Sequence, residues 1–378
     1  MSTWTRTPRL GTSPRHAYAD NLKVLMVVGV IVAHVTFAWT GVGTWVFEET
    51  PLREPLLSLV TLLAVVGGLF GLALFFLLAG EFTPPSFARK GTGRFLLDRV
   101  VRLGVPMVFF VIAFSPFIEY VDPDNADWTR GFGAFALHIW RQPAPGPTWF
   151  LGVLLVFSIG YAVVRTLVPL QARPPAAMRL RHLALAAVTI AVASYLVRLG
   201  VPLGAERYRL ALGQAPSWVV AFVLGVLGSE RGWFASMPPR LVRTAGGMAL
   251  AALVAVVAVF LGVALTDGDP DAFGGGGTWQ SLLMAVLEAP FVVGLSVWLP
   301  ALFKRRFDHQ GRLAREMSRS AYAAFLIHQP VLVVLVLATR EVSWPPEVDF
   351  FTVAVVGVAA TFALAGLLVR LPGVSRVV

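Results

Sequence analysis

Residues 22–40, LKVLMVVGVIVAHVTFAWT, form an apolar run that holds one lysine near its start and one histidine further along. About 20 such residues in a helix cross the ~30 Å hydrocarbon layer of a bilayer. Similar runs recur as far as residue 370, and the chain is 57% hydrophobic but only 14% charged. A soluble domain carries about 25% charged residues, so this composition predicts a multi-pass membrane protein.

The apolar runs predict an all-α bundle of ten transmembrane spans. They occupy residues 22–40, 57–80, 104–119, 148–168, 183–203, 216–230, 244–265, 279–302, 319–339 and 351–370. Residues 22–370 then form one membrane domain between a polar tail at 1–21 and a short tail at 371–378. The first run is too long for a signal peptide and lacks a small-x-small cleavage site, so we expect it to be retained.

The distribution of charge predicts the orientation of the bundle. With the N-terminus in the cytoplasm, inward segments hold 24 of the 31 basic residues and outward segments hold 14 of the 21 acidic ones. This is the bias that the positive-inside rule requires. We therefore expect both termini in the cytoplasm, a location in the cell membrane and no nucleic-acid partner, despite the net charge of +10.

The stretch between the second and third spans is predicted to lie on the inner face. Residues 83–104 are basic, and 94–102 can form an amphipathic helix at the membrane interface. The chain has no cysteine, which excludes a disulfide, a thiol nucleophile and a thiolate metal site. We expect no metal.

Ionisable side chains share one face of the first span. Asp20 and Lys23 are three residues apart, a spacing at which the carboxylate can hold the ammonium. His34 follows Lys23 by eleven residues, which returns it to the same face about 16 Å further along the helix axis. An ionisable group at mid-membrane depth is costly, so His34 is a candidate functional residue.

Two further ionisable residues are predicted at bilayer depth. His328 lies nine residues, or about 14 Å, beyond Arg319 at the start of the ninth span, so its depth is similar to that of His34. Pro330 can kink this helix. Glu288 is the one acid deep within a span and needs a partner or a water-filled cavity.

Each of these residues also has a structural interpretation. A histidine can hydrogen-bond between helices, Glu288 can be a protonated structural group, and Lys23 can extend its ammonium to the interface. Proton-relay transporters use the same residue types, so depth and periodicity leave catalysis and transport open, as well as a structural or sensory membrane module.

Several motifs resemble acyltransferase family 3, membrane-bound O-acyltransferases that modify cell-surface glycans and related acceptors. Asp20, Lys23 and His34 are similar to the family pattern Asp-x-x-Arg followed, after ten residues, by His. The remaining motifs follow in the family's order: Phe75–Phe82, Arg89–Pro106, Trp149–Leu151, Phe222–Gly225, and Tyr322 with Leu326–Pro330.

The resemblance implies an acyl-CoA donor, with acetyl-CoA favoured, and a hydroxyl-bearing acceptor, with carbohydrate favoured. It also implies that Lys23 contacts the donor and that His34 is catalytic. Lysine replaces the family's arginine here and lacks the planar guanidinium that binds phosphate in a bidentate manner. Ala79 stands where the family usually has serine, which puts a role for a hydroxyl there in doubt.

These residues permit a mechanism. His34 would act as general base on the acceptor hydroxyl, and Glu288 or His328 would orient it, through direct transfer or a covalent acyl-histidine. The main alternative is a transporter of small molecules or lipid-linked sugars with a His/Glu relay. The basic inner face suits the CoA phosphates, although the positive-inside bias explains it equally well. Its candidate donor-binding residues are Lys23, Arg89, Lys90, Arg94, Arg99 and Arg102.

Overall fold

The computed structural model describes residues 17–374 except 44, 123–124, 169–175, 208, 235–236 and 267. This part of the chain is helical and has no β-strand, which confirms the predicted all-α class. Most of the predicted N-terminal tail and the last residues of the C-terminal tail lie outside the described residues. The first helix begins at Ala17, five residues before the apolar run.

Helices of very different length make up the bundle. They are α1 (Ala17–Thr40), α2 (Leu56–Arg99), a π-helical segment (Val100–Gly104), α3 (Val105–Phe109), a second π-helical segment (Phe110–Phe114), α4 (Ser115–Tyr120), α5 (Gly131–Ile139), α6 (Trp149–Leu167), α7 (Leu180–Arg198), α8 (Ala215–Glu230), α9 (Pro239–Leu265), α10 (Trp279–Arg306), α11 (Arg312–Thr339) and α12 (Pro346–Leu368).

Nine helical stretches of the described chain are long and apolar enough to cross a membrane. Eight of them correspond to predicted spans. The remaining stretch, Leu56–Tyr120, has 65 residues and joins the predicted spans 57–80 and 104–119. The basic segment between these two spans is therefore helical too: the predicted helix at 94–102 is present, and the rest of the segment, which was expected to be a loop, continues the helix except at Gly91.

A break at Gly91 divides this long stretch into two arms. Gly91 has φ 70° and ψ 168°, which a helix does not allow. In a straight helix, residues eight apart lie about 12 Å apart. Here the rings of Phe87 and Phe95 are 5.4 Å apart, and Lys90 Nζ lies 2.7 Å from Asp98 Oδ2. The second arm therefore folds back against the end of the first.

Two glycines bring α2 and α8 into close contact. A Cβ on Gly80 would overlap the backbone of α8 at Phe222, and a Cβ on Gly225 would overlap the backbone of α2 at Leu77. Small residues are what allow membrane helices to approach this closely. The crossing fixes the position of the first arm of α2 within the bundle.

Helix α1 packs against α2, α10, α11 and α12. Its start is held by the loop between α10 and α11: the Asn21 side-chain amide donates to the carbonyls of Phe307 (2.7 Å) and His309 (2.9 Å). The backbone N–H of Tyr18 donates to Asp308 Oδ1 at 3.0 Å. These bonds set α1 in register with α11, which carries His328.

Candidate functional site

His34 and His328 meet at the contact between α1 and α11. Their ring centroids are 4.8 Å apart, and the ring planes are inclined by 67°. The sequence predicted a similar depth for both residues, and the structure brings them into contact. We call these two residues the histidine pair.

Backbone hydrogen bonds determine which nitrogen of each ring carries the proton. His34 Nδ1 lies 2.8 Å from the Val30 carbonyl oxygen, and His328 Nδ1 lies 2.6 Å from that of Phe325. A carbonyl only accepts, so each Nδ1 donates its proton, and each neutral ring keeps a lone pair on Nε2. His328 Nε2 is buried and has no hydrogen-bond partner among the described residues.

The two histidines differ in access. His328 is completely buried, whereas His34 is half-buried. Phe37 and Trp45 flank the His34 ring, each with a centroid distance of 5.5 Å. The Phe325 ring lies 5.8 Å from the His328 ring. His34 is therefore the member of the pair that a substrate can reach, and His328 lies behind it.

Glu288 belongs to a different cluster. Glu288 Oε2 accepts from the Arg198 guanidinium, and Ser217 Oγ donates to its Oε1 at 2.6 Å. Arg198 Nε also donates to the carbonyl of Gly213 at 3.1 Å. Arg198, Ser217 and Glu288 are all buried and connect α7, α8 and α10. Within the described residues Glu288 makes no hydrogen bond or ion pair with His34 or His328, so the structure does not bring it into the histidine pair.

Glu288 has the partner that its depth demanded, but the sequence did not identify that partner. Arg198 is fully buried at the end of α7, inside the predicted span 183–203, but nothing in the sequence was a reason to pair it with Glu288. The only feature of the sequence that pointed to Arg198 was a positive charge within two helical turns of the end of a predicted span. Spacing along one helix does not show which residue of another helix lies opposite.

The predicted donor-binding residues form two groups. Lys23 Nζ lies 3.3 Å from Asp20 Oδ1, as the spacing predicted, and 5.0 Å from the Phe82 ring centroid. The other five surround the Gly91 break. Within the described residues, no hydrogen bond or ion pair joins Lys23 to them. They are Arg89, Lys90, Arg94, Arg99 and Arg102.

Asp98 neutralises part of the group around Gly91. Its carboxylate pairs with Lys90 at 2.7 Å and with Arg102 at 3.3 Å, and the Arg99 guanidinium lies over the Phe95 ring at 5.0 Å. Arg89 and Arg94 are exposed and make no ion pair with a described residue. These two arginines are therefore the members of the group available to an anionic ligand.

Comparison with known proteins identifies the family. A family model for an acyltransferase domain, that of acyltransferase family 3, matches residues 16–370. The chain belongs to this family. The match confirms the resemblance of the motifs and covers nearly the whole chain. The comparisons with curated proteins and with solved structures gave no match.

As a member of acyltransferase family 3, the chain is a multi-pass membrane protein whose matched region holds both the Lys23 motif and the histidine pair. The motif Phe75–Phe82 also contains an acidic residue, Glu81, that was not among the predicted site residues. The Tyr18 hydroxyl donates a hydrogen bond to the Glu81 carboxylate, which also interacts electrostatically with Lys23 and Lys304. The start of α1 in this family 3 protein is thus surrounded by charges of both signs.

Proposed function

We propose that this protein transfers an acyl group, with acetyl favoured, from a cytoplasmic acyl-CoA to a hydroxyl of a glycan or another envelope acceptor. The observation that carries the proposal is the histidine pair. Its two rings lie 4.8 Å apart between α1 and α11, each with Nδ1 bound to a carbonyl of its own helix and a lone pair left on Nε2, and one of them is the histidine that the family motif places after Lys23. A neutral imidazole is the side chain best suited to taking a hydroxyl proton near neutral pH.

The proposed donor site lies at the start of α1. The Lys23 side chain is 43% exposed although its ammonium is paired with Asp20, so it remains accessible to a phosphate. Arg89 and Arg94 add two unpaired cations. From Lys23 the axis of α1 runs about 16 Å to His34, a distance that an extended pantetheine arm spans. The thioester would then lie beside the histidine pair.

In the proposed reaction, His34 Nε2 takes the proton of the acceptor hydroxyl as the oxygen attacks the thioester carbonyl. The tetrahedral intermediate collapses with cleavage of the carbon–sulfur bond, and the proton passes from His34 to the departing sulfur. His34 Nδ1–H stays on the Val30 carbonyl throughout, and His328 packs against the His34 ring, which helps to hold it in place. Glu288 takes no part in proton transfer because Arg198 and Ser217 occupy its carboxylate.

Replacement of His34 tests this function. His34→Gln preserves a hydrogen bond but cannot take a proton, so we expect acyl transfer to fall by about 10²-fold or more while CoA binding is retained. Release of the CoA thiol by purified protein measures the rate, and the chain contributes no thiol background because it has no cysteine. His328→Gln should cause a smaller loss.

His309→Gln is the matched control, because this exposed histidine lies away from the pair. Transfer at the wild-type rate by His34→Gln would show that His34 has a packing role and would make His328 the leading candidate. A transporter with an intramembrane relay needs no CoA, so a protein that neither binds nor consumes acetyl-CoA would favour that alternative.

A further inference from the structure

A small cavity lies next to two of the aromatic rings that contact His34, at the end of α1 opposite Lys23. Its volume is about 190 Å³, which corresponds to the space of about six water molecules. Phe37 and Trp45, which flank the His34 ring at 5.5 Å, are also two of its walls. The remaining lining residues are Gly41, Gly43, Phe47 and Glu48. We call this space the outer cup.

The walls of the outer cup are built into the fold. The chain after α1 turns back on itself, and the backbone N–H of Glu49 donates to the Ala38 carbonyl at 2.8 Å. Phe47 is buried beneath the guanidinium of Arg340, which lies 4.2 Å from its ring centroid and 2.7 Å from Glu49 Oε1. Gly43 passes so close to Phe37 that its Cβ would lie 3.1 Å from the ring.

Two polar groups of the outer cup have no partner within the described part of the chain. The indole N–H of Trp45 is buried without a hydrogen bond. The Glu48 carboxylate is exposed and forms no ion pair, in contrast to its neighbour Glu49. One donor and one strong acceptor between aromatic faces are suited to a neutral molecule that carries hydroxyl groups. The carboxylate disfavours an anion, and an acyl chain would leave both polar groups unsatisfied.

We propose that the outer cup is the acceptor site and that it takes one neutral polyol ring of about the size of a pyranose. This inference rests on the proposed function and adds the place and the chemistry of acceptor binding. The sugar ring would pack on Trp45 and Phe37. One of its hydroxyl groups would donate a hydrogen bond to the Glu48 carboxylate, and another would point between the aromatic rings toward His34. Donor and acceptor would then approach the histidine pair from opposite ends of α1.

The test measures release of the CoA thiol from acetyl-CoA with and without methyl glucopyranoside, galactopyranoside and mannopyranoside. Wild-type protein should release thiol faster with at least one of them. Glu48→Gln replaces a charged acceptor by a weaker neutral one of the same shape, and Trp45→Phe removes the indole donor but keeps an aromatic face. Each should raise the KM for the pyranoside about tenfold while leaving the KM for acetyl-CoA unchanged.

Glu341→Gln and Trp344→Phe are the matched controls, since these exposed residues lie in the loop between α11 and α12 and do not line the outer cup. The inference is overturned if the cup variants behave as the controls do, or if no pyranoside accelerates release. Calorimetry with acetyl-CoA separates the two levels of failure. If acetyl-CoA binds but no pyranoside stimulates thiol release, only this inference is contradicted. If acetyl-CoA does not bind, the proposed function is contradicted as well.

Discussion

Lys23 occupies the position where the family pattern has arginine. Its surroundings indicate how the ammonium can still bind a phosphate of the proposed donor. Asp20 holds it on one side and the Phe82 ring on another, which restricts a flexible side chain and leaves one direction open. We expect Lys23→Ala to weaken acetyl-CoA binding about tenfold or more, the cost of losing a charged hydrogen bond, whereas Lys23→Arg retains binding.

Calorimetry on detergent-solubilised protein measures this affinity. Arg94→Ala should weaken binding too, because Arg94 is one of the unpaired cations near Gly91. Arg130→Ala is a suitable control, since this exposed arginine lies in the predicted outward segment before α5. If both Lys23→Ala and Arg94→Ala bind acetyl-CoA with wild-type affinity, the basic residues of the inner segments determine only the orientation of the bundle and do not bind the donor.

At the scale of single residues, the sequence predicted which ionisable residues belong to the candidate site, but it predicted few of the contacts between them. The pairing of Lys23 with Asp20 and the similar depth of the histidines followed from helical spacing. Asp98 and Arg102 are four residues apart, a spacing at which helical side chains meet, but the pairing of Asp98 with Lys90 depended on the fold-back at Gly91. That turn places residues together that a straight helix would separate, so counting charges overestimated the free cations.

Among the helices, the buried cluster of Arg198, Ser217 and Glu288 is the main polar connection between α7, α8 and α10. Removing one charge of a buried pair leaves the other uncompensated, at a cost of about 3–5 kcal/mol. We therefore expect Glu288→Gln to lower the free energy of unfolding strongly and Ser217→Ala to lower it by about 1–3 kcal/mol. Thermal unfolding in detergent measures both effects.

The double replacement Arg198→Met with Glu288→Met separates a structural role from a catalytic one. Two apolar side chains leave no unpaired charge, so this protein should be more stable than Glu288→Gln and should still transfer acyl groups. A stable double variant that has lost transfer would return Glu288 to the catalytic machinery. Periodicity located Glu288 correctly within its span but could not identify the helix that supplies its counter-ion.

For the whole molecule, ten spans with both termini in the cytoplasm stay a prediction from charge. The fold-back at Gly91 supports it, because it divides the stretch from Leu56 to Tyr120 into two arms. The cysteine-free chain allows a direct test with single cysteines in intact cells. A membrane-impermeant maleimide should label Asp271→Cys and Glu341→Cys, but should label Gly93→Cys and Gly311→Cys only after permeabilisation.

Labelling of Gly93→Cys or Gly311→Cys in intact cells would contradict the orientation and, with it, the cytoplasmic donor site. Gly93 and Gly311 have open space around the position of a Cβ and no positive φ, so a cysteine at either should leave the fold undisturbed. The controls are the same variants in permeabilised cells, where all four should react.

The Nδ1 of each histidine of the pair is held by a carbonyl of its own helix, at Val30 and at Phe325. The orientation of the proposed base therefore depends on ordinary helical geometry. Residues around the pair can be exchanged without disturbing it, provided that α1 and α11 keep their register. Under the proposed function, one pair of helices can then serve acceptors of different shapes when only the surrounding loops differ.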